Sequence, residues 1–457
     1  MGMNGAASQE VLGATLGAGR QQLTLVSPRG KEKKVTIMRN LPMPLGLNSN
    51  NTTRIIGLPQ LCRPLRLLNM IQRFTRDGSD ALEKHLVWVC EQVRINVEGI
   101  VPRTVLEGLL LTGPYGRGEG GVLRGFNDAP FDSMEFVAFV RGHAEEEGEV
   151  LRKVLRDMAG RLTGFAGAEI KIRLDSLAKL RRSRVSLMSH DLVMGHRWVV
   201  GSNTLLIGCE HHADASLVPI EDASRMLFDR CSALLLARER LFKNDISIAD
   251  AAVVTHSIAM TQLAMGDAFL IAKQQHHWSC ARRAQLLNTM SKPTWGLAMM
   301  GHHAQGVDFQ LHPRFAAEST DSLRMRHEQV SELAGTVWLW LEQMRLKHCF
   351  DSVQSYARDR GSKFPKKQPL HNLMENARTF GRAGLISRWR LRHPRERLLR
   401  ALPLLLWDPT EPSDRKLLAS CFDVVGGVKH SAVEVYRNLW CRLNCGPPVH
   451  CGKHAGC

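Results

Sequence analysis

The hydrophobic pattern changes character several times along the chain. Residues 1–64 hold no sustained period. QLTLVS (22–27) has the alternation of a short strand, whereas NLPMPLGLNSNNT reads as a loop in a basic, flexible arm. From Pro64 the pattern turns helical, and ALEKHLVWVCEQVRINV sets Leu82, Leu86, Val89, Val93 and Val97 on one apolar stripe. LEGLLLTG is short, apolar and ends at Gly113, as a buried strand does, and SMEFVAFV predicts a second strand after a glycine turn. EEEGEVLRKVLRDMAGRL predicts a helix with its acids in the first turns, where the helix dipole favours them. AEIKIRL alternates strictly and predicts a third, half-buried strand, followed by a short helix at DSLAKLRR and then SLMSHDLVMGHRWVVGS. Together these predict a mixed or antiparallel sheet with flanking helices over residues 65–215.

Beyond Pro219 the pattern is almost wholly helical. IEDASRMLFDRCSALLLARERL, IADAAVVTHSIAMTQLAMGDAFLIAKQQ and SLRMRHEQVSELAGTVWLWLEQMRL are long periodic segments, and no repeat of fixed length joins them. The expected fold class is α+β, with an α/β region at 65–215 and a helical domain at 216–443. Residues 444–457, rich in Cys and His, read as a separate tail.

Composition narrows the setting. Eleven cysteines sit mostly alone in apolar helical surroundings, such as Cys90, Cys231 and Cys421, which predicts buried free thiols in a reducing compartment. No window offers the run of apolar residues a membrane span needs, and the first residues lack the pattern of a secretory signal. A cytoplasmic location is the expectation. The formal charge of +17 favours anionic partners: nucleotide phosphates, nucleic acid, an acidic protein or a membrane surface.

Candidate chemistry concentrates at residues 109–141, LLLTGPYGRGEGGVLRGFNDAPFDSMEFVAFVRG. Glycines allow close backbone approach, so Gly113, Gly116 and Gly118 can turn N–H groups toward a phosphate. Arg117 can add charge-assisted bonds. The run lacks the Lys-Ser/Thr end of a P-loop and the spacing of a dinucleotide fingerprint. A structural glycine turn between strands is the other reading.

LLLTGPYGRGEGG followed by FDSMEFVAFV resembles the nucleotidyltransferase superfamily that includes aminoglycoside nucleotidyltransferases and DNA polymerase beta. YGRGEGG, HDLVMGHRWVVG, LAMGDAFLIAKQQHHWSCARR and VDFQLHPRF also resemble a family of uncharacterised bacterial nucleotidyltransferase-like proteins with a helical C-terminal domain. The resemblance implies a strand ending in Gly-Ser, a glycine turn, and a strand bearing two acids one residue apart. A third carboxylate comes from a later strand, and the acids hold Mg2+ or Mn2+ against a nucleoside triphosphate. Carboxylates at i and i+2 on a strand share a face, so they can share metal.

Placed on that pattern, Glu135 is the second acid and Ser133 stands where the first is expected. Asp132 replaces it only if a bulge turns it round; Asp128 is a further candidate. Glu169 matches the third carboxylate, with Asp175 as alternative, and Lys171 shares the face of Glu169, to pair with it or to meet phosphate. An exposed, salt-bridged strand edge is the competing reading. Pro114 takes the place of the phosphate-binding serine and lacks both hydroxyl and N–H, while Tyr115 offers a hydroxyl of different reach. Asp191, His196 and Arg197 fall in a strand-turn segment where Arg197 can close on a triphosphate or Asp191 can cap the turn. Asp267 and Lys273 lie on a helix that can wall a cleft or simply pack. His276, His277, Trp278 and Cys280 suggest either metal or a helix end. In the tail, Cys445, His450, Cys451 and Cys457 supply four ligands for a structural zinc or, alternatively, reactive thiols.

Three functions remain open: metal-dependent nucleotidyl transfer to an unknown acceptor, a catalytically degenerate scaffold of the same fold that binds nucleotide or an acidic partner, and nucleic-acid binding.

Overall fold

A computed structural model describes residues 20–26, 32–38, 73–142, 145–242, 246–315, 318–364, 368–407, 412–425 and 431–444. The chain divides into two compact units, Met1–Arg66 and Leu67–Cys457. In the first, strands β1 (Arg20–Val26) and β2 (Glu32–Met38) form an antiparallel hairpin. The first strand covers the expected one; the second was not legible in a basic stretch read as flexible arm.

The second unit holds both the sheet and the helices. Its main sheet has the order β7-β6-β3-β8, with β3 at Leu106–Thr112, β6 at Ser133–Val140, β7 at Glu169–Asp175 and β8 at Arg197–Val200. β3 pairs antiparallel with both β6 and β8, and β6 runs parallel to β7, so the sheet is mixed. A small hairpin, β4 (Val122–Leu123) and β5 (Ala129–Pro130), lies between β3 and β6. Helix α1 (Asp80–Ile100) starts where the Ser79 side chain accepts from the N–H of Leu82, with Asp80 and Glu83 in its first turn. The short α2 (Gly113–Gly116) follows β3, and α3 (Glu145–Ala166) carries the chain from β6 to β7.

Alternation divides the sheet into two faces. Leu109, Leu111, Met134, Phe136 and Ala138 pack with the α1 stripe and with α3 residues such as Leu155 and Met158. Leu110, Val137 and Phe139 face the other way, onto Leu177 and Leu180 of α4 (Leu177–Arg182) and Leu192 of α5 (Leu187–Met194). Each face thus has its own core.

The helical region continues with α6 (Ile220–Leu241), α7 (Ile248–Ala272), α8 (Cys280–Thr289), α9 (Gly296–Leu311) and α10 (Thr320–Leu346). It ends with α11 (Val353–Arg358), α12 (Pro369–Phe380), α13 (Arg382–Ile386), α14 (Glu396–Leu406), α15 (Pro412–Cys421) and α16 (Ala432–Asn444). Among the described residues α7 alone is long and apolar enough by composition to cross a membrane. Its surroundings explain that composition: it packs on α6, α9 and α10 as the central helix of the bundle. Gly306 on α9 permits a close crossing with α7, since a Cβ there would lie 2.6 Å from the backbone nitrogen of Leu263.

The described cysteines Cys90, Cys231 and Cys421 are free and buried, as are Cys209 and Cys280. Burial pushes the Cys90, Cys280 and Cys421 thiols up to about 12, which leaves them protonated at neutral pH.

Candidate functional site

Polar side chains gather at the starts of β6 and β7. In register, Ser133 lies opposite Glu169 and Glu135 opposite Lys171, and these four positions alternate with the core residues Met134, Phe136 and Ile170. They therefore share one face of the sheet. The Lys171 ammonium sits 3.1 Å from Glu169 Oε2 and 3.5 Å from Ser133 Oγ. Glu135 lies against the turn after β3: its Oε2 would be 3.3 Å from a Cβ at Gly113, whose φ is +65°. Thr112 donates its hydroxyl to the Glu135 carbonyl at 3.1 Å, which fixes that approach. Among the described residues no hydrogen bond or ion pair engages the Glu135 carboxylate.

Asp132 precedes β6 in the left-handed region, φ +68°, and its carbonyl accepts from the Glu169 N–H at 3.0 Å. The chain turns at Asp132 without a bulge inside the strand. Its charge reaches His256 on α7, as do those of Lys171 and Arg230. Burial lowers the His256 pKa and Asp132 partly offsets this, so the imidazole is neutral at pH 7, and its buried Nε2 has no partner. Phe131 makes edge contacts with His256 and Phe309, with centroids 6.0 and 5.8 Å apart. Beyond Phe309 opens a cavity of about 550 Å³, lined among others by Gln262, Gln305, Asp308, Arg314 and Arg326.

The glycine turn is built differently from a phosphate nest. The N–H groups of Arg117, Gly118, Glu119 and Gly120 donate to the carbonyls of Gly113, Tyr115, Pro114 and Phe74. Tyr115 is buried, its hydroxyl bonded to the Gly121 and Phe131 carbonyls at 2.8 and 3.1 Å, and burial drives its pKa up. Gly116 is required by packing, because a Cβ would lie 2.4 Å from the Leu111 carbonyl oxygen, and Gly118 turns the chain at φ +77°. Arg117, with only 11% of its side chain exposed, lies 3.8 Å from both Glu119 and Asp191. Its charge is committed to carboxylates.

Three other expected residues lie away from the cleft. Arg197 pairs in register with Leu111, on the face opposite Glu135. Its guanidinium stacks 3.8 Å over Phe74 and donates to the Arg73 carbonyl. Asp175 ends β7, six residues beyond Glu169 and roughly 20 Å along the strand. Asp128 accepts from the Ser79 N–H at 2.7 Å and from Arg124, bracing the start of α1.

A buried polar network joins the turn to the helical region. Glu119, 3% exposed, accepts from Ser279 Oγ at 2.6 Å and from the N–H groups of Cys280 and Ala281 at 2.8 and 3.3 Å, at the start of α8. Burial raises its carboxyl pKa, but those bonds and Arg117 outweigh this and hold it below the ordinary value. Asp267 accepts from Arg283 at 2.6 Å and His303 at 3.0 Å, and despite burial its pKa is depressed well below the usual carboxylate range.

Asp191 lies on helix α5, where a strand-turn was expected, and its Oδ1 is 3.0 Å from His276 Nε2. Burial disfavours the Asp191 carboxylate, yet the His276 bond and the His276, Arg117 and Arg283 charges keep its pKa low. Beside it stands His190, whose pKa burial lowers against the His212 carbonyl bond. His190, Asp191 and His276 each offer a ligand atom, all within 4.8 Å of one another, so this cluster can hold a divalent cation. His196 donates locally, its Nδ1 3.0 Å from the Leu192 and Val193 carbonyl oxygens. Lys273 lies 5.8 Å from the Phe269 and Trp340 rings. In the sequence the cluster shows only in pieces, the histidines at 276–277 and, 85 residues earlier, Asp191, with nothing local to join them. Cys445, His450, Cys451 and Cys457 fall outside the described residues.

Compared with known proteins, the chain matches no family model and shows no significant similarity to a curated protein or a solved structure.

Proposed function

We propose that the cleft transfers a nucleotidyl group from a nucleoside triphosphate to an acceptor, with Mg2+ or Mn2+ bound at the starts of β6 and β7. The observation that carries this reading is Glu135, an unpaired carboxylate held against Gly113, in register with Lys171 and one face with Glu169. A Cβ at Gly113 would press on the carboxylate at 3.3 Å, so the glycine eases this approach. Among the described residues Asp132, Glu135 and Glu169 do not gather their ligand atoms as a preformed metal site does; in this reading they would close on the metal together with the nucleotide, and the metal would neutralise triphosphate charge and polarise the reacting phosphoryl group. Lys171, released from Glu169, would meet phosphate. The acceptor oxygen would attack the α-phosphorus as the bond to pyrophosphate breaks and pyrophosphate departs. His256, neutral with an unpartnered Nε2, would take the acceptor's proton. The cavity beyond Phe309 would seat the acceptor.

A second reading, a scaffold of the same fold without catalysis, has its own support. Ser133 stands where a carboxylate is wanted, and Tyr115 and Arg117 are engaged elsewhere. Calorimetric titration with each triphosphate, with and without Mg2+ or Mn2+, separates the two. Metal-dependent binding by the native chain that Glu135→Gln abolishes supports the transferase. No binding of any triphosphate removes it and leaves the scaffold.

A further inference from the structure

The proposed transfer uses none of His190, Asp191 and His276, and the hydrogen bonding of this cluster is that of a metal site. His190 Nδ1 is 2.9 Å from the His212 carbonyl oxygen, which can only accept. The proton is therefore on Nδ1, and Nε2 carries a lone pair. That Nε2 is buried and has no partner, on a residue 2% exposed. Burying an unsatisfied acceptor is costly, and a carbonyl-oriented imidazole with its other nitrogen free is the usual arrangement of a metal-ligating histidine. His276, 5% exposed, turns its Nε2 to Asp191 Oδ1 at 3.0 Å, while its own Nδ1 is buried and unpartnered.

We propose that His190, Asp191 and His276 bind one divalent first-row transition ion, Zn2+ foremost, which ties α5 to the loop between α7 and α8. The ion takes the place of the proton shared by His276 and Asp191. That proton shifts to His276 Nδ1, or to solvent when the ring is charged, and the freed Nε2 lone pair coordinates. Two atoms 3.0 Å apart and each bonded at about 2.0–2.2 Å to a common ion subtend roughly a right angle. Opening toward a tetrahedral angle needs only a few tenths of an ångström.

The donor set selects the ion. Two imidazole nitrogens and one carboxylate oxygen suit zinc and its first-row neighbours, whereas Mg2+ prefers oxygen throughout. The site is therefore chemically distinct from the carboxylate cleft. Arg117, 3.8 Å from Asp191 Oδ2, opposes a cation, but it addresses the second carboxylate oxygen and leaves Oδ1 for the ion. With 26% of its side chain exposed, Asp191 provides the way in. The bound ion would cross-link the sheet side to the helical side beside the Glu119–α8 contact.

The test uses the full chain after chelator treatment. Because the tail thiols also attract soft metals, it is run beside the variant Cys445→Ser/Cys451→Ser/Cys457→Ser. Co2+ is titrated while visible absorption is followed, and Zn2+ is added as competitor. The proposal expects one tightly bound Co2+ per chain in the tail variant, displaced by Zn2+ and with no thiolate charge-transfer band; any further Co2+ in the native chain is assigned to the tail thiols. His190→Gln, in the tail-variant background, should weaken binding at least tenfold. His190→Cys in the same background should keep binding and add a thiolate band, a gain that misfolding cannot imitate. Absence of stoichiometric Co2+ or Zn2+ binding by the tail variant overturns the proposal, as does a His190→Cys spectrum with bound Co2+ but no thiolate band.

Discussion

Replacing Glu119 with alanine should destabilise the chain far more than a surface acid would. The carboxylate is buried and accepts three hydrogen bonds at the start of α8, from Ser279 Oγ, Cys280 N and Ala281 N, with Arg117 at 3.8 Å. Hydrogen bonds to a charged group contribute about 1.5–3 kcal/mol each, but they are not additive. The Ser279 hydroxyl keeps the bond it accepts from the Arg282 N–H but loses the acceptor for its own proton. Two α8 N–H groups and a buried guanidinium remain short of a partner, and breaking a buried ionic contact costs about 3–5 kcal/mol. We expect about 3–5 kcal/mol for Glu119→Ala and about 1–2 kcal/mol for Glu119→Gln, which keeps an acceptor but loses the charge at the helix start. Glu149→Ala, at an exposed ion pair, should cost less than about 1 kcal/mol.

Urea unfolding followed by far-ultraviolet circular dichroism and tryptophan fluorescence measures the three differences. A Glu119→Ala midpoint equal to that of Glu149→Ala would refute the clamp. The pH dependence supplies a second check. The folded Glu119 carboxyl has a pKa below its ordinary value, so its stabilisation is complete above the unfolded value of about 4.3. It is lost as pH falls through the lower, folded pKa. The stability gap between the native chain and Glu119→Gln should therefore be constant near neutrality and close below about pH 5.

Asp267→Asn should cost about 3–5 kcal/mol in the same assay, because it strands Arg283 in the interior; Arg283→Met in that background should restore part of the loss. Gly306→Ala should lower the stability by about 1–3 kcal/mol through overpacking of α7 against α9. Gly301→Ala, on the same helix with no atom within 4 Å of its new Cβ, should instead raise stability by about 0.4–1 kcal/mol. Lys171→Met should leave stability within about 1 kcal/mol, since its pair with Glu169 is exposed, while calorimetry should show Mg2+-dependent triphosphate affinity reduced several-fold. Unchanged affinity would remove Lys171 from phosphate binding.

The strands were legible because each carries its own local signal. LEGLLLTG and SMEFVAFV appear as β3 and β6, and the alternation of AEIKIRL appears as β7. The same alternation placed Lys171 on the side of Glu169, which the register bears out. Arg197 defeated the sequence reading for the corresponding reason: its face depends on how β8 pairs with β3, and register is a tertiary property. Asp191 lies on a helix of eight residues, too short for periodicity to declare. Glu119 gave no local sign at all, because its partners begin 160 residues later. Glycine content was visible, but composition does not separate a glycine that frees an N–H from one that admits a neighbour. At Gly116 the neighbour decides: a Cβ would strike the Leu111 carbonyl.

That distinction fixes where an anion can bind. Arg117 is the one cation inside the glycine turn, and it stands between Glu119 and Asp191 at 3.8 Å from each. One guanidinium between two ionised carboxylates leaves a net negative group, so phosphate approaching the turn from that side would be repelled. The turn's N–H groups from Arg117 to Gly120 are already spent on carbonyls, which removes the backbone alternative. On the β6–β7 side the balance differs. Lys171 and Arg230 both reach His256 electrostatically, and Lys171 is held only by an exposed pair. Yet Asp132, Glu135 and Glu169 also lie along the starts of β6 and β7, without gathering their ligand atoms as His190, Asp191 and His276 do, so on the proposed reading a triphosphate without metal would meet three acids against two cations. A divalent ion reverses that sign. On the proposed reading, metal would therefore be a condition of nucleotide binding beside β6 and β7, rather than an aid to a phosphate grip already formed.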